Sequence, residues 1–473
     1  MRYIVRLQSI ELNNFKNVEH GVISLPGGQS VAEALSKTDL PLLKSNILGI
    51  YGQNGSGKTA VIDSLHFLQQ LLRGTKVDKD IYNYIQKGKD ILSCSFSFFL
   101  LPADQTKEKI NINYSFAIQY KDEVVSIKSE SLKYTILSLD GKSSTRKFID
   151  YNLDDKDYYE KFMTDENIRF IKRENKNDYE KLKAFLLVNK SPISFIFNDT
   201  NFECLTNNFK NTPIYSALNR IKGYSFTSLF VIRNNESSDI MSGNSLRLIY
   251  LNKNEKSQTY GNYIIKSRGA IIPVKEVDYY NLTKIIDCQN IVLQKLIPGL
   301  TIKLEDKGTD VDENNENLRL IALYSDRNGI KVPLGYESDG IKKIIYILRI
   351  IIDMYNDSSV LLAIDEFDSG IFEYLLGELI KTLEFSGKGQ LLFTSHNLRP
   401  LELLNPKSLY YTTINPKNRY TQINGIRESN NGRKVYYTAI QLGSENDEDD
   451  DLYEMIDTDL IADALEDAGN YRG

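Results

Sequence analysis

Eight consecutive residues, Gly52-Gln53-Asn54-Gly55-Ser56-Gly57-Lys58-Thr59, fit the pattern G-x-x-x-x-G-K-[ST] in full. In such a loop the glycines let the backbone wrap. The N–H groups of Asn54, Gly55, Ser56 and Gly57 would then point inward at a polyphosphate, and a helix N-terminus behind them adds partial positive charge. Lys58 would reach the β and γ phosphates, and Thr59 would hold Mg²⁺. The expected ligands are therefore ATP and magnesium. A loop of this kind needs a second group to organise the metal, and Val360-Leu361-Leu362-Ala363-Ile364 is an apolar run that ends in Asp365-Glu366. Asp365 is expected to bond to the magnesium or its waters, and Glu366 to orient and deprotonate an attacking water.

These residues work only if the right elements flank them. Asn46–Tyr51 is a short, nearly continuous apolar run, as expected of a strand buried on both faces. Beyond Thr59, residues Val61, Leu65, Leu68 and Leu72 mark one face of a helix that stops near Gly74. Strand, glycine loop and helix follow in the required order. Ahead of them, Ile4–Leu12 alternates, turns at Asn13–Asn17 and returns through Gly21–Leu25 as a strand pair. Leu92–Leu101, Ile110–Tyr120 and Val124–Leu137 alternate in the same way and predict an antiparallel sheet. From about 150 to 280 the chain is rich in Asn, Lys, Asp and Tyr, with helical faces such as Tyr179–Val188 and no sustained heptads, so a mainly helical insertion is expected. From Leu318 onward strand and helix alternate: Leu318–Leu323, Gly340–Tyr355, Val360–Ile364, Phe372–Leu383 and Gln390–Thr394. That order predicts a parallel sheet. The expected class is α/β, with an N-terminal lobe over 1–149, the insertion over 150–280, a C-terminal lobe over 281–444 and a tail over 445–473.

Composition bounds the partners. With 473 residues, 41% of them hydrophobic, the chain can bury a large core, and its longest apolar runs fall short of the roughly 20 residues that cross a bilayer. The opening residues lack a signal-peptide core, and Cys94, Cys204 and Cys288 stand far apart without paired spacing. A cytoplasmic location with no membrane partner is expected. The net charge of −5 averages two unlike parts: after residue 444 there are twelve acids against one arginine, leaving 57 basic and 51 acidic groups in the body. Within the acidic tail Leu452, Met455, Ile456, Leu460, Ile461 and Leu465 recur near helical spacing, a pattern suited to docking on a partner.

At this point the sequence resembles the ABC-type ATPase heads of SMC, recombination-repair and OLD-like proteins. Asn14-Phe15-Lys16 looks like their N-F-[KR] ahead of the phosphate loop, and Glu337-Ser338-Asp339-Gly340-Ile341-Lys342-Lys343 looks like the S-x-G-x-[KR] core of their signature motif. Asp368-Ser369-Gly370 follows the acid pair as their D-loop does, and Thr394-Ser395-His396 ends a strand as their switch histidine does. The resemblance implies an ABC-ATPase-like P-loop head. It makes Lys16 a nucleotide contact, places Ser338 and Gly340 on the γ-phosphate bound by another subunit, and makes His396 a catalytic sensor of its own. Asp339 and Phe372 depart from the family pattern. One set of motifs per chain implies a head-to-tail homodimer or a higher homo-oligomer.

The resemblance also implies a job. The interval between phosphate loop and signature is too long for a transporter domain and lacks the coiled coil of an SMC arm. The stretch after His396 is too short for the Toprim nuclease of OLD-like proteins. What is expected is an ATP-hydrolysing subunit of a bacterial anti-phage defence system, as in PARIS or Septu, that controls a separately encoded effector protein through its acidic tail. The alternative is an SMC-like DNA-maintenance ATPase that clamps duplex DNA.

Overall fold

A computed structural model describes residues 3–25, 44–102, 109–137, 143–235, 245–254, 257–266, 271–423, 432–442 and 458–470. Period-two alternation builds the first layer. The chain opens as the hairpin β1 (Tyr3–Phe15) and β2 (Val18–Ser24), leaves as β3 (Asn46–Tyr51), and returns as β4 (Ile91–Pro102), β5 (Lys109–Lys121), β6 (Val124–Leu137) and β7 (Ser143–Asn152). Except for β3 these strands form an antiparallel sheet in the order β2-β1-β4-β5-β6-β7. Its inner face, with Leu92, Cys94, Phe96 and Phe98 at every second position, packs into one large apolar cluster.

Four helices cover that cluster: α2 (Asp165–Glu174), α3 (Lys176–Val188), α4 (Asp199–Asn208) and α5 (Pro213–Thr227). They follow α1 (Lys58–Arg73), which packs into the same cluster. Their Asn- and Asp-rich sequence becomes helical because those residues cap. Thr164 accepts from the Asn167 N–H, Asn175 from Asp178 and Asn198 from Asn201. After α5 the chain forms β8 (Leu229–Ile232), the hairpin β9 (Ser245–Asn254) and β10 (Ser257–Lys266), and then β11 (Ile272–Lys275). The stretch between 150 and 280 is thus helical in its first part and strand-rich in its second.

The second sheet runs β18-β17-β3-β16-β15-β8, using β15 (Leu361–Ile364), β16 (Gln390–Thr394), β17 (Leu409–Thr412) and β18 (Tyr420–Thr421). Every pairing is parallel except that of β18. The middles of its central strands are apolar because both faces are covered: Leu48, Ile50, Leu361 and Ala363 enter the first cluster, while Ile47, Tyr51, Leu362 and Ile364 enter a second. The second cluster also holds α6 (Glu276–Leu296), α7 (Asp339–Asn356) and α8 (Glu373–Ser386). The short α9 (Arg399–Leu403), then α10 (Gly432–Leu442) and α11 (Thr458–Asn470), complete the described elements.

One strand expectation is corrected. Leu318–Leu323 lies in β13 (Asn317–Arg327), outside the parallel sheet. It pairs antiparallel with β11, β12 (Leu300–Val311) and β14 (Ile330–Pro333). The close sequence neighbours β12 and β14 satisfy its backbone through short turns, which antiparallel strands need and parallel ones cannot use. Two buried polar side chains fasten the large sheets together. The Arg6 guanidinium donates to the carbonyls of Lys388 at 2.6 Å, Ser358 at 3.2 Å and Lys44 at 3.2 Å. The Gln390 amide accepts from Leu7 N–H at 2.9 Å and donates to Leu7 O at 2.8 Å.

Candidate nucleotide site

In an open parallel sheet, ligands bind beyond the carboxyl ends of the strands. Here those ends are Tyr51, Ile232, Ile364, Thr394 and Thr412, and the residues that follow them are Gly52, Arg233, Asp365, Ser395 and Thr413. Gly52 begins the loop at φ 148°, and a Cβ there would lie 1.7 Å from Thr412 Oγ1. Gly57 closes it at φ 103° as the N-cap of α1. Only glycine takes these two turns without strain. The loop is buttressed from outside. Asn17 Nδ2 donates to Gly55 O, Tyr420 Oη to Gly57 O at 2.8 Å, and Thr412 Oγ1 to Ser56 Oγ at 2.6 Å. Asn54 and Gly55 form its exposed tip.

Lys58 is buried, and its Nζ donates to Gly52 O at 2.8 Å and Gln53 O at 2.9 Å. Burial lowers its pKa, while Asp365, Glu366 and Asp368 oppose the shift. Thr59 Oγ1 donates to Asp365 Oδ1 at 3.3 Å, and Thr394 Oγ1 donates to the same oxygen at 2.6 Å. Asp365 is 1% exposed, and its Oδ2 is buried without a hydrogen-bond partner. An orphaned carboxylate oxygen beside a threonine hydroxyl suits a magnesium ion, which typically takes one or two carboxylates plus phosphate oxygens and water. Asp365 and Thr59 are the residues that would hold it.

Glu366 is half-buried and sits at φ 48°, in the left-handed region. Its N–H donates to Thr394 Oγ1 at 2.8 Å, and its carbonyl accepts from Lys343 Nζ at 2.6 Å. His396 is exposed, and Asp368 holds its backbone: the N–H groups of His396 and Asn397 donate to the Asp368 carboxylate at 3.2 and 2.9 Å. Ser338 is the exposed N-cap of α7 and makes no side-chain cap bond. Gly340 is pressed so closely on the D-loop that a Cβ would stand 1.9 Å from Gly370 O. Ser338, Gly340, Gly370 and Phe372 all border an apolar hollow of about 1040 Å³ between α6, α7 and α8.

The structure therefore brings Asn54 through Thr59, Asp365 and Glu366 to one end of the sheet, and puts exposed Ser338 and buried Gly340 at the N-terminal end of α7, against the D-loop. Lys16 is placed differently. At φ 52° in the β1–β2 turn, its Nζ pairs with Asp63 Oδ2 at 2.6 Å, one turn along α1 from Thr59, and it lies 4.5 Å over the Tyr84 ring. The sequence reading missed Arg233. Ile232 pairs with Ile364, so Arg233 follows the strand level with Asp365. Its charge acts on Asp63 and Asp78, and its Nε is buried without a partner. The only signal was the run Leu229-Phe230-Val231-Ile232 ahead of it.

Residues 47–402 match the family described as "AAA domain, putative AbiEii toxin, Type IV TA system". The chain belongs to this family. The AAA domain so identified is of the P-loop ATPase type and contains the phosphate loop, the signature-like segment, the Asp365-Glu366 pair, the D-loop and His396, while Asn14-Phe15-Lys16 and the acidic tail lie outside it. Two curated relatives, each named "DNA replication and repair protein RecF", come from Chlorobaculum tepidum and Chlorobaculum parvum. Each is 29% identical over 111 residues, which is 24% of this chain and 24% of the relative. The match thus spans about a quarter of those proteins. Among solved structures the AAA protein is similar to an Smc head domain of Pyrococcus furiosus bound to the C-terminal domain of ScpA, at 12% identity and a TM-score of 0.38, over 93% of this chain and 100% of that one. It is also similar to a RecF–ATP structure, at 12% identity and a TM-score of 0.36, over 89% and 100%.

Proposed function

We propose that this AAA protein binds ATP with magnesium, hydrolyses it slowly as a homodimer, and so controls a separately encoded effector in bacterial anti-phage defence. The observation that carries the reading is the meeting of Lys58, Thr59, Asp365 and Glu366 at one sheet end, with Asp365 Oδ2 buried and free of protein partners. Bound magnesium would neutralise charge on the phosphates. Lys58 is already poised: its present acceptors are carbonyls of the loop itself, so phosphate oxygens can replace them by a local movement. Asp365 keeps Thr59 oriented through Oδ1. Glu366, at the rim, takes the proton of the attacking water.

The dimer is supported by Tyr336, Phe372 and Tyr374, which are exposed around Ser338. Closure of a second copy over this face would bury aromatic surface and bring Ser338 and Gly340 to the partner's γ-phosphate. His396 would read the phosphate of its own subunit. The effector role is supported by the family description, which joins the AAA domain to a type IV toxin–antitoxin system, and by the exposed Leu460, Ile461 and Leu465 of α11. The name of the curated relatives favours the second reading, a DNA-maintenance clamp.

Turnover and molar mass decide the first part. Glu366→Gln is expected to keep ATP bound, to lose turnover by at least about 100-fold, and to run as a dimer in ATP and Mg²⁺. Equal turnover in wild type and Glu366→Gln would remove Glu366 from its role. The second part needs a pull-down of the full chain, and of a chain ending at Gly443, from cells carrying the native operon. A toxin or nuclease lost with the tail supports effector control, and duplex DNA retained without the tail supports the clamp.

A further inference from the structure

Lys343 is 2% exposed, yet the groups it bonds to are main-chain carbonyls of another segment: Glu366 O at 2.6 Å and Ser369 O at 3.1 Å. A buried ammonium is retained only where it is well solvated by polar groups, and here those groups all belong to the turn that follows β15. That turn begins with Glu366 at φ 48°, a backbone conformation which costs energy for any residue other than glycine and persists only where the surroundings impose it. Two groups do so. Thr394 Oγ1 accepts from the Glu366 N–H at 2.8 Å, and Lys343 donates to the Glu366 carbonyl. Thr394 also donates to Asp365 Oδ1, so the grip on Glu366 and the presentation of Asp365 share one hydroxyl. One turn toward the N-terminus of α7, Gly340 abuts Gly370 O and leaves no room for α7 to slide over the same turn.

We propose that Lys343 is a positioning residue for Glu366, and that it makes the N-terminal turn of α7 and the turn Glu366–Gly370 move as one piece. This rests on the reading of Glu366 as the base. The direction of its carboxylate is set by a peptide held at both ends, by Thr394 and by Lys343, so a movement of Ser338 and Gly340 on one face is delivered to Glu366 within the same chain. A merely space-filling Lys343 would be replaceable by methionine, which is close in volume and shape. A positioning Lys343 is not replaceable in this way, because methionine leaves the Ser369 carbonyl without a donor, the Glu366 carbonyl with the Ser369 N–H of its own turn alone, and the strained turn without its clamp to α7.

The test compares full-length wild type, Lys343→Met, Lys343→Arg and Lys58→Ala for affinity to a fluorescent ATP analogue with Mg²⁺, for kcat and KM, and for urea unfolding. Lys343→Met is expected to bind nucleotide within about threefold of wild type while kcat falls at least about 30-fold, and Lys343→Arg to recover most of that loss. If Lys343→Met does not fold, Lys343→Gln carries the same comparison, since its shorter, uncharged side chain cannot donate to both carbonyls; its kcat is expected at least about 10-fold below wild type. A kcat within about threefold of wild type in the methionine or glutamine variant overturns the proposal. So does a loss confined to affinity and folding. Wild-type turnover no faster than that of Lys58→Ala would instead overturn the ATPase reading itself, and the positioning role with it.

Discussion

Asp365 divides its two oxygens unequally, one accepting from Thr59 and Thr394 and the other buried with no partner. Asp365→Asn is therefore expected to keep the hydroxyl contacts and to bind nucleotide as wild type does in EDTA. It should lose the gain in affinity that Mg²⁺ gives, by about 10- to 100-fold, as read by calorimetry in both buffers. Glu130 is the other buried carboxylate with a legible cost. It accepts from Tyr114 Oη at 2.8 Å, Ser194 Oγ at 2.5 Å and Phe195 N–H at 2.8 Å, and burial raises its pKa. Because the folded state holds this proton more tightly than the unfolded one, the contribution of Glu130 to stability is complete below the ordinary carboxylate range. It declines as pH rises through the raised value. Glu130→Gln is expected to cost about 1 to 3 kcal/mol in urea unfolding, with the gap to wild type narrowing from pH 4 toward pH 8. The phosphate loop was legible at this scale because its chemistry dictates residue type position by position. Arg233 was not, because its surroundings, Asp63 and Asp78 among them, come from remote parts of the chain.

Helix α1 shows how an element is bounded by more than its own sequence. It ends at Gly74, φ 73°, whose N–H bonds back to Leu71 O. A Cβ at Gly74 would lie 2.2 Å from Phe197 O, so the stop signal is also a packing contact with the segment before α4. Gly74→Ala is expected to destabilise by about 1 to 3 kcal/mol in urea while leaving the nucleotide affinity of the folded protein unchanged. Strands with clear alternation, such as β4, β5 and β6, lie within a residue or two of their sequence-read bounds, as do α7 and β16, while α8 runs three residues beyond its expected end. Two strands show why others were not legible or were misplaced. β8 is only four residues long and follows an Asn-rich helical stretch, so nothing local marks it as part of the parallel sheet. β13 has an unmistakable strand pattern, but alternation does not say which sheet receives it.

For the molecule as a whole, the acidic tail and the mildly basic body are separable in charge, and residues 459–468 of α11 are exposed. Leu452, Met455 and Ile456 lie outside the described residues. Removing residues 444–473 is expected to shift the midpoint of thermal unfolding by less than about 2 °C and to leave ATP affinity as it was. A larger loss, seen by scanning calorimetry, would mean that the tail packs on the body. Among the described residues no helix is long and apolar enough to cross a membrane. The parallel sheet itself has a temporal consequence. Its partners are assembled from segments far apart in the chain: Tyr51 bonds to Thr412, 361 residues later. On a ribosome adding about 5 to 20 residues per second, the phosphate loop leaves the exit tunnel some tens of seconds before the strands that must flank it. The antiparallel sheet, built wholly from residues 3–152, is available to form in that interval. The nascent protein would then be half folded yet blind to ATP until β15, β16 and β17 have been made, and a chain broken off before them would carry the loop without the site.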